Sequence, residues 1–479
     1  MKLKSISAAT IVALGAACAV PLHAEWSSDP AATLVLSDRD NEQIQPQWAP
    51  TSDGGFYISW FDNADGGYDV YLQRLDAAGN ELWPHDGVLV ADRDVSSTED
   101  YGVGVDADDN VYLAYGNQIS AGFSVTVQKV DATGATQWGD GITISNGDSH
   151  SPHLDVLANG NIAVAWLGDG PLAQVLDPDG NTLWADGGVA TATGLYAPAD
   201  VHGDPDSNVI VSMGSASFTA AHVLLAQKLA AADGTFLWGD DDPVSIEDGT
   251  DGTLQFGNYP PFVSDGAGGA VFVWYTVGSS GEVHAQHVLA DGSLAFAQNG
   301  VLASADTTRN HFEPAGAYDA TSGDIYAVWR ETDLQTQGQI GIYAQRIDSS
   351  GARQWGDDGI ELVALSAVDQ TQPNALAVPG GGAIFAWASD DEPNPMPIHA
   401  VRFDADGNQV WATDVSTEVA GTGRLTSAWS TDGYAAFAWE SSTEMFAADI
   451  HAQNVNLDGT LGVEAPDDTI FEDGFDPPM

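Results

Sequence analysis

The sequence predicts an all-β chain: an eight-bladed β-propeller of four-stranded antiparallel blades, closed by an N-terminal strand that completes the last blade. Three observations carry this. An apolar strand word recurs eight times, ending at Trp60, Tyr115, Trp166, Met213, Trp274, Trp329, Trp387 and Trp439. A glycine hairpin follows each copy. The last copy lacks the end of its hairpin, and the start of the chain carries one to spare.

The recurring words, among them GFYISW, NIAVAW, DIYAVW and GAIFAW, alternate and are rich in β-branched and aromatic residues, so each is a strand. They recur about every 54 residues, the size of a slightly long propeller blade. Glycine is abundant, at 53 residues, which suits a turn-rich β protein. If the weakest copy, at Met213, is not a blade, the count falls to seven.

A third strand precedes each of Gly79, Gly134, Gly180, Gly234, Gly292, Gly351, Gly407 and Gly459. Words such as DAAGNELW, DPDGNTLW and DADGNQVW place Asp three residues before the glycine. That spacing suits a type I turn closed by a left-handed glycine. Four residues after the glycine comes an aromatic in seven copies: Trp83, Trp138, Trp184, Trp238, Phe296, Trp355 and Trp411. Copy eight has Val463 there instead. Trp26, followed by TLVLSDRD, repeats the pattern of Trp83 followed by VLVADRD. Residues 26–38 are therefore expected to supply the fourth strand of the last blade, which removes two exposed sheet edges. The opening strand of most units carries a proline, at Pro46, Pro152, Pro198, Pro260, Pro314 and Pro373. It is expected to be the first residue of that strand, where its missing N–H does no harm.

The ends and the charge set the environment. Residues 1–24 read as a secretory signal, with Lys2 and Lys4 ahead of an apolar stretch and Ala24 before the cut. Cys18, the chain's single cysteine, falls within it, so no disulfide is expected afterwards. The expected domains are a signal peptide over 1–24, one propeller over 25–465 and an acidic-aromatic tail over 466–479. With 13 basic and 69 acidic residues the net charge is -56. Such a surface repels phosphate, so nucleic acid and anionic membrane are excluded as partners. No later stretch is long and apolar enough to span a membrane. A monomer is expected, secreted or displayed at the cell surface, with the periplasm as the alternative.

The Asp-x-x-Gly-x-x-x-Trp words resemble the tryptophan-docking repeats of eight-bladed quinoprotein-type propellers, in which a Trp of each blade packs on its neighbour. The match covers nearly the whole chain after residue 24, with a spacing that departs by one residue in most copies. It implies the docking but not a quinone, since paired cysteines and a metal-ligand cluster are missing from the sequence. The words also resemble the Asp-boxes of sialidases, whose arginine cluster cannot be placed on this chain. The whole unit is similar to repeats of secreted bacterial surface proteins. The tail from Ile470 to Asp476 is similar to a short ending of many exported proteobacterial proteins.

Chemistry is expected on the face that carries the variable loops between strands two and three and the crossovers between blades. The residues around the first-strand prolines should ring the channel mouth there: Gln45, Gln47, His150, His153, Tyr259, His311, Glu313, Gln372 and Asn374. They read either as a polar collar for a ligand or as solvated strand ends. Asp-rich words at Asp62 to Asp69, Asp106 to Asp109, Asp177 and Asp404 are candidates for Ca²⁺, the one cofactor considered, although each falls short of a full oxygen set and suits a turn as well. His284, His399 and His451 share one position on third strands, which points to packing. No nucleophile stands at motif spacing from a base, and Arg330-Glu331 is too common a pair to mark a site. The function expected is a non-catalytic propeller that binds a glycan or protein through its variable-loop face. The alternatives are an exported polysaccharide-acting enzyme with carboxylates at the channel mouth and a scaffold part of an envelope assembly.

Overall fold

A computed structural model describes residues 25–463, apart from 94, 121, 216–220, 240–241, 251, 279, 336–337, 391–395, 419 and 445. The expected signal peptide and the tail from residue 466 onward lie outside the described residues. All regular structure among the described residues is β, and no helix is long and apolar enough to cross a membrane. Eight antiparallel sheets stand around one axis. Blades 1 to 7 span 43–91, 102–143, 150–190, 196–247, 253–302, 309–366 and 369–416. Blade 8 takes three strands from 421–455 and its fourth from Leu34–Ser37. The Met213 unit is a full blade, so the count is eight.

First strands of successive blades touch one another and so line the channel. Second strands form the core of each blade: Phe56–Asp62 is buried along its whole length. Their terminal aromatics are almost fully buried, and third-strand rings pack on them. Trp274 and His284 stack at 5.3 Å, while Trp387 meets His399 at 5.6 Å and Trp439 meets His451 at 6.0 Å. The recurring histidines are thus packing residues, as expected.

Ring closure follows the expected route. Leu34 pairs with Ala452 and Val35 with His451, antiparallel. Trp26 is 2 % exposed in a cluster with Tyr434 and Ile450. Its N–H donates to the Ala78 carbonyl at 2.9 Å and its indole to Ala77 at 3.2 Å. That turn belongs to blade 1, so Trp26 joins blade 8 to blade 1. The same contact runs around the whole ring. Each hairpin aromatic lies on the turn glycine of the next blade: Trp83 on Gly134, Trp138 on Gly180, Phe296 on Gly351, and finally Trp411 on Gly459. Gly79 shows why glycine is required: its φ is 82°, and a Cβ there would fall 2.7 Å from the Trp26 ring. Indole N–H groups of Trp184, Trp238, Trp355 and Trp411 donate to carbonyls of the same neighbouring turns at 2.8 to 3.1 Å.

A recurring third-strand glutamine holds the hairpin from inside. Gln174 is fully buried; its Oε1 accepts from the N–H of Val175 and Trp184, and its Nε2 donates to the Ala185 carbonyl at 2.8 Å. Gln128, Gln286 and Gln345 repeat this arrangement.

The prolines differ from expectation. Pro46, Pro152, Pro314 and Pro373 sit inside the first strand, at a β-bulge, not at its start. The residues before them, Gln45, Ser151, Glu313 and Gln372, have φ of 59°, 49°, 46° and 56°, and Arg424 takes 41° at the matching place in blade 8. The first strand is the channel-side edge of its sheet, so proline's missing N–H breaks no ladder there. The bulge bends the strand and re-aims the side chains at the mouth.

Candidate functional site

These bulges place the expected collar residues, and they fall into two groups on opposite sides of the mouth. On blades 1 to 3 the residues bind one another. The Gln45 amide fits with its oxygen accepting from Arg424 Nη1 and Nη2 at 2.7 and 2.9 Å and its nitrogen donating to the Glu99 carbonyl at 3.1 Å. Gln47 Nε2 donates to the Tyr101 carbonyl at 2.7 Å. His150 lies between Glu99 Oε2 at 3.2 Å and Asp148 Oδ1 at 3.3 Å. His153 is half-buried farther down the same first strand. This side is a cross-linked wall.

The other side is open, and blade 5 is the reason. Its first strand is broken into Thr253–Leu254 and Phe262–Ser264, which both pair with Ala270–Val277. Residues 255–261 leave the sheet between the two pieces. Where six of the other blades spend one extra residue on a bulge, blade 5 spends a loop. The Asn258 N–H closes a turn onto the Gln255 carbonyl at 3.0 Å, and Pro260-Pro261 return the chain to the channel.

The gap is a cavity of about 540 Å³ between blades 5, 6 and 7. Gln255, Phe256 and Asn258 form one wall, Tyr275 the back, and Glu313, Arg330 and Gln372 the other wall. Arg330 organises it. Its Nη1 donates to Glu313 Oε2 at 2.6 Å and its Nη2 to Asp369 Oδ1 at 2.5 Å. Its guanidinium lies 4.9 Å over the Phe312 ring and its side chain is only 11 % exposed, whereas those of Glu313 and Asp369 are about half exposed. The Tyr275 hydroxyl donates to Gln255 Oε1, and burial raises this phenol above its ordinary range, so it stays a neutral donor. Phe256 is 44 % exposed and leans on His222 at 5.3 Å.

Of the expected residues, Glu313 and Gln372 therefore meet in one cleft. Gln372 is held by its own amide, which donates to the Thr422 carbonyl at 3.1 Å and accepts from the Leu425 N–H. Tyr259 lies on the excursion and packs toward Gly214 of blade 4. Asn374 lines a smaller hollow of about 280 Å³ deeper in the channel, with Phe262 and Leu376. It also donates to the Gln372 and Leu425 carbonyls. His311 is 3 % exposed and faces Glu331 at 3.4 Å beside Trp329, away from the cleft.

Sequence reasoning missed Arg330, Tyr275 and Gln255. Arg330 and Glu331 are adjacent, so they point to opposite faces of one strand. Arg330 reaches the cleft, while Glu331 holds His311, Arg309 and the Trp329 indole. The pair looked ordinary because its two members do unrelated work.

The Asp-rich words act as turn formers. Asp106, Asp177 and Asp404 each accept from the N–H and amide of the Asn four residues on. Asp62 accepts from the Ala64 N–H at 2.9 Å and Asp69 from the Arg93 N–H at 2.6 Å.

No family model matches the chain, and no curated protein matches it in sequence. Solved structures align with it at low identity. Polysaccharide lyase Uly1 aligns at 11 % identity over 90 % of this chain and 92 % of that one, with a TM-score of 0.46. A protein of unknown function from Dyadobacter fermentans aligns at 11 % identity over 88 % and 96 %, with a TM-score of 0.39. Puromycin hydrolase aligns at 12 % identity over 87 % of this chain and 61 % of that one, with a TM-score of 0.42. Likenesses this distant carry no argument about chemistry.

Proposed function

We propose that this is a non-catalytic binding propeller, secreted or displayed at the cell surface, that holds a glycan in the cleft between blades 5, 6 and 7. The broken first strand of blade 5 carries the reading. It spends regular pairing to open a cavity of ligand size on the variable-loop face. The cavity offers what a sugar needs: an aromatic ring at Phe256, amides at Gln255, Asn258 and Gln372, and a neutral hydroxyl at Tyr275. Its one lining carboxylate, Glu313, serves Arg330, as does Asp369 beside the cavity, which favours holding a ligand over moving protons. Export rests on the leader-like segment over 1–24.

The exposure of Glu313 and Asp369 supports the second reading, an exported polysaccharide-acting enzyme. One assay separates the two. A glycan and peptide array probed with the purified chain is expected to return saccharide hits that stay intact. Phe256→Ala and Gln372→Ala should each weaken binding about tenfold, the loss of roughly one good contact. Release of shorter products, abolished by Glu313→Gln, would replace binding with catalysis. Peptide hits alone would replace the ligand class.

A further inference from the structure

We propose that Asp38, His85 and Asp86 form a transition-metal site of the zinc class that staples the closing strand of blade 8 to blade 1. Asp38 directly follows the closing strand Leu34–Ser37. His85 and Asp86 lie between Trp83 and the fourth strand of blade 1, Val88–Ala91. One ligand atom from each of the three lies within 4.8 Å of the other two. His85 Nε2 stands 3.4 Å from Asp38 Oδ1 and 3.9 Å from Asp86 Oδ1. Asp86 Oδ1 also accepts from Ser37 Oγ at 3.0 Å and the Asp38 N–H at 3.2 Å, so the two blades already meet here.

The imidazole makes this more than a group of acids. Its Nδ1 lies 3.1 and 3.2 Å from the two oxygens of Glu81. Glu81 is 7 % exposed and is steadied by Gln73 Nε2 at 3.2 Å. A carboxylate only accepts, so Nδ1 carries the proton of that contact. The ring's Nε2 then faces the two further carboxylates of Asp38 and Asp86, and the three groups together suit a bridging cation. Among the described residues, His85 is the only basic group within 4.0 Å of Asp38 or Asp86, so no arginine or lysine fills that role.

Zinc takes imidazole nitrogen and carboxylate oxygen at about 2.0–2.2 Å, and three ligands leave its fourth position for water. A buried carboxylate on the far ring nitrogen is the usual outer partner of such a histidine, fixing its tautomer and raising its basicity. The chain's net charge of -56 also raises the local concentration of divalent cations. A metal held here binds both sides of the seam, so it adds stability only to the closed ring. The site is independent of the cleft on blades 5 to 7.

The test is thermal unfolding of the chelator-stripped chain, titrated with zinc at neutral pH and about 0.15 M salt. The melting temperature is expected to rise saturably, by about 3 °C at a hundredfold excess over Kd. Calcium at equal concentration should move it by less than a third of that. His85→Ala should abolish the zinc shift, and Asp38→Asn should raise its midpoint at least tenfold. Asp140→Asn, an exposed acid elsewhere, should leave it unchanged. Should His85→Ala not fold, His85→Gln serves in its place. Cobalt(II) supplies a second readout, as visible bands that require His85. A zinc shift that survives in the His85 variants would mean diffuse binding to an acidic surface. No shift and no cobalt bands would leave a plain histidine–carboxylate ion pair. Either result overturns the site.

Discussion

Glu418 lies where blade 7 hands over to blade 8, and it accepts from three groups. The Thr33 N–H donates at 2.8 Å and the Thr33 hydroxyl at 2.7 Å, and His451 Nδ1 lies 2.9 Å away. Burial pushes this carboxyl up, but His451, the Thr33 hydroxyl and the Thr33 N–H outweigh it and hold it at about 2. The sign follows from linkage. A carboxyl whose folded value lies below its unfolded one stabilises the fold above the unfolded value, near 4.5, and loses that contribution as pH falls through about 2. Glu418→Gln should cost about 2 kcal/mol at neutral pH, after allowance for partial exposure. It should cost progressively less between pH 4.5 and 2, and urea unfolding across that window checks both halves. The reason for expecting a local effect is that Thr33 belongs to the closing segment, so the acid-sensitive contact and the ring seam coincide.

At the scale of the element, two departures from regularity do the shaping. The bulges keep five non-glycine residues at positive φ around the mouth, at about 1 kcal/mol each. The rigid hairpins below sustain that strain. The broken strand of blade 5 goes further and opens the cleft. The closing strand Leu34–Ser37 has the opposite role. It covers the edge of Ala447–Val455 and brings Trp26 to the Gly79 turn. Deleting 25–38 should therefore abolish cooperative unfolding, because two blades lose an interface at once. Calorimetry should show a broad or absent transition, and an unchanged melting curve would show that the segment does not close the ring. This element was legible beforehand, since Trp26 and TLVLSDRD repeat the Trp83 word. The excursion at 255–261 was not. Pro260 stands at the ordinary distance from Trp274, and nothing local distinguishes a loop from a strand with one bulge.

For the whole molecule, charge is the dominant long-range term. With 69 acids against 13 bases, acid–acid repulsion acts in the compact state more strongly than in the expanded chain. Salt screens it, with a Debye length near 10 Å at 0.1 M and near 3 Å at 1 M. The melting temperature is expected to rise from low salt to about 1 M sodium chloride, and a melting temperature indifferent to salt would mean that the acids are spaced too widely to matter.

The sequence alone determined the repeat, the hairpins, the docking aromatics and the swapped strand, and the structure fixed the count at eight by making the Met213 unit a full blade. Each is written as a local word with a fixed period, and a period survives without coordinates. It also pointed to Glu313 and Gln372 as mouth residues, because each stands beside a first-strand proline. Only the tertiary structure decided which mouth residues meet. Gln45 and His150 are spent on their neighbours, as is the Gln372 amide, whereas Glu313 and Asp369 converge on Arg330 across two blades. The contact of Arg330 with Asp369 depends on how neighbouring sheets pack, and the opening of the cleft depends on one broken strand. Neither quantity is encoded in a window short enough to read, since Glu313 lies 17 residues from Arg330 across its own hairpin and Asp369 lies 39 residues away on the next blade.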